Sequence, residues 1–106
     1  MINGRQAIAR ATRIIKETPN NAGDWVAKGR TLGELGKHNE ALECFQAALE
    51  VDPTFVKAHF YKGIALHKLK RVGEAKESWR TFVRLAPPEE ISRIEPARKW
   101  ITETQE

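Results

Sequence analysis

The residues of this chain that could do chemistry are three histidines, one cysteine and a set of recurring glutamates. His59 and His67 are eight positions apart, which on an ideal helix turns them roughly 80° from one another. They therefore do not make the i, i+4 pair that suits a metal ion. His38 is expected in a turn, and Cys44 lies in an apolar stretch with no evident base and no second thiol beside it. A lone thiol in such surroundings reads as a small packing residue. Glu40, Glu43, Glu74 and Glu77 recur at a fixed interval, which marks helix starts and solvated faces rather than carboxylates paired for acid–base work. There is no glycine-rich phosphate loop and no Ser or Cys nucleophile motif. These residues lead us to expect no metal, no cofactor and no catalytic centre.

Charge says more about binding. The formal charge is +4 over 106 residues, with seven basic and seven acidic side chains in residues 1 to 55 but eleven against seven in residues 56 to 106. From Lys57 to Arg84 eight Lys/Arg face only Glu74 and Glu77, so an acidic partner would be drawn to that region. A solvated helix surface accounts for the same residues. Tyr61, Phe60 and Trp79 within the basic stretch raise the question of single-stranded nucleic acid, but Trp79 is better placed as core and no RNA-binding signature is present, so nucleic acid is not an expected partner. No segment approaches the roughly 20 apolar residues needed to span a bilayer. Met1 to Arg13 holds three arginines and no secretory-type apolar run, so no membrane and a cytoplasmic setting are expected.

The elements that must position these side chains follow from an internal repeat. Pro19, Pro53 and Pro87 are spaced 34 apart, as are Ala7, Ala41 and Ala75; Lys28/Lys62, Gly29/Gly63, Leu32/Leu66, Leu35/Leu69, Glu40/Glu74 and Glu43/Glu77 match at the same interval. A period of that size means one small unit stacked on copies of itself. In residues 22 to 36, Trp25, Gly29, Leu32 and Leu35 share a helix face; in 39 to 51, Ala41, Leu42, Phe45, Ala48, Leu49 and Val51 do so. Gly36 suits a left-handed C-terminal cap, Asn39 an N-cap, and Pro53 a stop. The next unit repeats this with Phe60, Gly63, Leu66 and Leu69, then Ala75, Trp79, Phe82 and Leu85, and Gly73 is expected to mark its turn. No segment alternates as a strand does. The expected fold is all-α.

These residues resemble the tetratricopeptide repeat: Trp25, Gly29, Leu32, Ala41, Phe45, Ala48 and Pro53 in the first full unit, and Gly63, Leu66, Ala75, Trp79 and Pro87 in the second, where His59 takes the leading Trp position and Phe82 that of the second Ala. The resemblance implies a right-handed superhelix of about six helices in a single domain over 1–106, divided into a partial repeat at 5–21, repeats at 22–55 and 56–89, and a capping helix at 90–104. Gly29, Gly63, Ala41 and Ala75 would let helix backbones approach while Trp25, Phe45 and Trp79 fill the space between. Pro96 should bend the capping helix or start it afresh.

In this family the first helix of each unit lines an inner surface that holds peptides of partner proteins. Carried across, those positions are Val26, Ala27 and Arg30, then Lys57, Phe60, Tyr61, Ile64, His67 and Lys68; Phe60 and Ile64 could instead be covered by the cap. The subset that grips chaperone tails uses Lys, Asn, Asn, Lys and Arg at points held here by Val26, Arg30, Tyr61, Ile91 and Glu95, so that clamp is not expected. A non-catalytic adaptor binding a peptide in its groove is the expected function. Self-association through Ile8, Ile14 and Ile15 of the N-terminal segment, or docking within a larger protein, is the alternative.

Overall fold

The computed structural model describes residues 21–105. Among them are five α-helices, one short 3-10 turn and no strand: α1 (Ala22–Glu34), α2 (His38–Val51), α3 (Val56–Lys68), α4 (Val72–Leu85), the turn Pro88–Glu90, and α5 (Ile91–Glu103). α1 and α2 form one hairpin, α3 and α4 a second; α3 also packs on α2 and α1, and α5 lies on α4. The fold is all-α, a stack of helical hairpins. The partial repeat at 5–21, with Ala7, Ala11 and the Ile8, Ile14 and Ile15 strip, lies outside the described residues apart from Asn21.

Local chemistry sets the helix ends. Asn21 caps α1 by accepting from the Asp24 amide at 3.3 Å, which satisfies one of the free N–H groups of the first turn. At the other end Gly36 adopts φ +80°; its amide bonds to the Gly33 carbonyl at 3.0 Å and that of Lys37 to Leu32 at 2.8 Å, the paired closure of a Schellman motif. Asn39, expected to cap α2, is instead inside it, behind an N-cap at Lys37 with no side-chain bond. α2 and α4 end at Val51 and Leu85, two residues before Pro53 and Pro87.

The second hairpin turns at Lys70, not at Gly73. Lys70 holds φ +65°, and its amide bonds to His67 at 3.0 Å while that of Arg71 reaches Leu66 at 2.9 Å, the same closure thirty-four residues on from Gly36. Gly73 lies inside α4. The repeat's geometry overrides the residue preference here, at the cost of a Cβ in the left-handed region.

One core runs through both hairpins and the cap, from Ala22 and Trp25 to Ile94 and Ala97. A Cβ on Gly29 would come within 2.5 Å of Phe45 Cε1, and one on Gly63 would overlap the Trp79 indole. Helix backbones therefore approach where the small residues stand, and the large ring opposite closes the gap. Leu35, at 66% exposure, together with Val51 and Leu85, lies outside this core despite its place on the apolar faces, because each stands at a helix end. α5 is a single element through Pro96. Ile94 and Ala97, buried on either side of that proline, fix the helix by packing where a backbone hydrogen bond is lost.

Candidate functional site

The inner face is built around Tyr61, which α3 presents between its two neighbours. The Arg30 guanidinium of α1 lies 4.7 Å from the centre of the Tyr61 ring, within cation–π range. From α5, Arg93 donates to the Tyr61 hydroxyl through Nε at 3.4 Å and Nη2 at 3.3 Å, and is itself held by Glu90 at 2.9 Å. Below this, rings run in series: Phe45 is 6.1 Å from Tyr61, Tyr61 5.1 Å from Phe60, Phe60 5.6 Å from Trp100 and Trp100 5.2 Å from Trp79. Edge-on and tilted contacts of this spacing favour their mutual orientation.

Beside Tyr61 a groove of about 290 Å³ opens between α1, α2 and α3. Phe45, Tyr61, Ile64, Ala41 and Ala65 supply its apolar floor and walls, and Arg30, Glu34, His38 and Lys68 its charged or polar groups. Gly29 and Gly33 leave α1 without side chains where it borders the groove, which keeps the space open.

Of the inner positions expected from sequence, Arg30, Tyr61, Ile64 and Lys68 come together here. Val26 and Phe60 do not: at 4% and 6% exposure they belong to the core. Phe60 is covered because α5 brings Trp100 over it, while Phe82 stands 5.1 Å away. Lys57 is half-buried and Ala27 and His67 are exposed, but none of the three lines the groove; the His67 ring lies 5.9 Å from Trp79. Sequence reasoning missed Glu34 and His38. His38, expected in a turn, is the first residue of α2, and only the hairpin's closure places it against α1.

A second, more open cleft of about 540 Å³ lies between α3 and α4, lined by His59, Lys62, Leu66, Ser78 and Thr81 with Glu74 and Glu77. Burial lowers the Lys62 ammonium below the usual lysine range, with Glu74 opposing. The basic stretch is less free than its composition suggests: Arg71 pairs with Glu74 at 2.7 Å and Arg80 with Glu77 at 3.1 Å.

Cys44 is fully buried, and burial, with Glu43 adding to it, pushes its thiol up to about 12. A nucleophile needs the opposite shift. Among the described residues no three His, Cys, Asp or Glu side chains cluster as a metal site would require, and no helix is long and apolar enough to cross a membrane.

Nested hairpins with small residues at their crossings and an open inner groove define a helical-repeat protein. Residues 29–70 match the family model for the TPR repeat. That stretch thus resembles the tetratricopeptide repeat, a unit that generally mediates protein–protein interaction. The chain is 28% identical over 85 residues to a small glutamine-rich tetratricopeptide repeat-containing protein 2 of Mycosarcoma maydis, covering 80% of this chain and 24% of that one. It is 27% identical over 89 residues to a tetratricopeptide repeat and J domain-containing co-chaperone of Cryptococcus neoformans var. grubii, covering 83% and 17%. An uncharacterized protein of Methanocaldococcus jannaschii shares 42% identity over 50 residues, which is 47% of this chain and 58% of that relative. The chain thus spans a quarter or less of the first two relatives.

Proposed function

We propose that this chain is a non-catalytic adaptor, working in the cytoplasm, that holds an extended segment of a partner protein in the groove between α1 and α3. The observation that carries this reading is the apolar floor of Phe45, Tyr61 and Ile64, bordered by polar groups and built before any partner arrives. A preformed groove lowers the ordering cost of association, so a modest set of contacts suffices. The co-chaperone relative makes a protein partner the natural choice, but chaperone-tail capture is not part of the proposal. Val26 is buried, and Ile91 and Glu95 offer neither the cations nor the amides that a terminal carboxylate requires.

The test is selection of peptides from a random displayed library against the whole chain, followed by nuclear magnetic resonance mapping of the winners. Perturbed resonances should centre on Tyr61, Ile64 and Lys68, and Ile64→Glu should weaken binding at least about tenfold, as expected for a charge placed in an apolar contact. Winners that bind Ile64→Glu as well as the parent would remove the groove from consideration.

A further inference from the structure

The charges bordering the groove carry the reading one step further. Arg71, Arg80 and Arg93 each have a carboxylate partner, so these three cations are matched within the fold. Arg30 and Lys68 are different: among the described residues no carboxylate lies within the 4.0 Å of an ion pair from either. They stand on facing walls, Arg30 on α1 and Lys68 on α3, with Glu34 one turn beyond Arg30 and His38 on α2. Two fixed cations against one carboxylate leave the groove positive.

The posture of Arg30 matters as well. Its guanidinium carbon lies over the Tyr61 ring at 4.7 Å, and among the described residues no side chain or carbonyl accepts from it, which leaves its N–H groups for an acceptor in the groove. A guanidinium held by stacking loses little freedom on taking a carboxylate in two parallel bonds. Beneath the two cations lies a floor suited to an aliphatic side chain.

We propose, resting on the groove reading above, that the occupant is an acidic segment of a partner protein. One carboxylate side chain sits between Arg30 and Lys68, and an aliphatic neighbour lies on Phe45, Tyr61 and Ile64. The specificity comes from the sign of the charge as much as from the apolar contact, and Glu34 sets a limit by repelling a second acid at its end of the groove.

The experiment uses the whole chain and two end-blocked synthetic peptides of alternating leucine with either glutamate or glutamine, read by fluorescence anisotropy and by resonance mapping. The glutamate peptide should bind about tenfold tighter at low salt, the ratio falling below about threefold near 0.5 M, where charges are screened within a few ångströms. Arg30→Gln and Lys68→Gln should each remove at least about threefold of that preference, and Glu34→Gln should raise it. Lys68→Gln keeps the test clean, since Lys68 is exposed and lies outside the hydrophobic core. Equal binding of the two peptides, with shifts at Tyr61 and Ile64, overturns the acidic inference and leaves the groove reading standing. Tighter binding of the glutamate peptide with shifts at the second cleft (His59, Lys62, Ser78 and Thr81) and none at Tyr61, Ile64 or Lys68 overturns both. Failure of the glutamate peptide to bind at about 5 mM, an affinity below any useful contact set, overturns the inference alone.

Discussion

At the leading aromatic position the first hairpin holds Trp25, 1% exposed, and the second holds His59, half-buried, whose Nε2 donates to the Pro53 carbonyl at 2.9 Å. The α2 residues Glu43, Cys44 and Ala47 are buried; of their counterparts on α4, Ser78 is buried, Thr81 is half-buried and Glu77 is exposed, and they line a cleft. Both hairpins keep the close crossing, Gly29 under Phe45 and Gly63 under Trp79. The comparison separates two layers of the repeat. The crossing is what lets hairpins nest, so it is kept in both copies, while the outer filling is negotiable, and the second copy gives it up without losing its shape.

The sharpest way to break this comparison is to remove the two leading residues. Trp25→Ala should cost about 3–5 kcal/mol, as for other buried aromatics, whereas His59→Ala should cost about 0.5–1.5, the worth of one hydrogen bond. Urea midpoints measure both, and equal losses would mean that the two positions do the same job. Next, Gly29→Ala and Gly63→Ala should each destabilise by about 1–3 kcal/mol through overpacking. A neutral result at either glycine would show that its ring can swing aside.

The turns give a smaller and opposite pair of effects. Gly36→Ala should lose about 1 kcal/mol, because nothing crowds its Cβ and only the left-handed backbone is penalised. Lys70→Gly should gain about 0.5–1 kcal/mol by relieving the same penalty. Thermal melts of the two variants should move in opposite directions. A further contrast, visible only at high pH, is that between Cys44 and its counterpart Ser78. The native state holds the Cys44 proton more tightly than the unfolded chain, so that contribution is whole below the ordinary value of 9.0 and is lost as pH rises toward about 12. Stability measured across that window should fall less steeply in Cys44→Ser than in the parent.

Hairpins and crossings were legible in the sequence because they rest on period and on residue size, both local. Gly29, Ala41, Phe45 and Gly36 announce themselves that way. The left-handed Lys70 was not legible, since a nearby glycine offers a better-looking turn and only the register of the repeat favours position 70. Val26 and Phe60 looked like groove residues because their helix face is the inner one, and no local signal shows that Trp100 of a later helix will lie over Phe60. Glu34 and His38 were missed for a related reason: they meet only when the hairpin folds back on itself. Arg30, Tyr61, Ile64 and Lys68 could be found from the family's pattern, and they line one groove.

Tyr61 is gripped from both sides, by Arg30 of the helix before and Arg93 of the helix after. Fanning the stack open at either seam means parting one of those arginines from the same ring. One side chain thus couples the two seams, so that loosening the stack before or after α3 costs a contact to Tyr61.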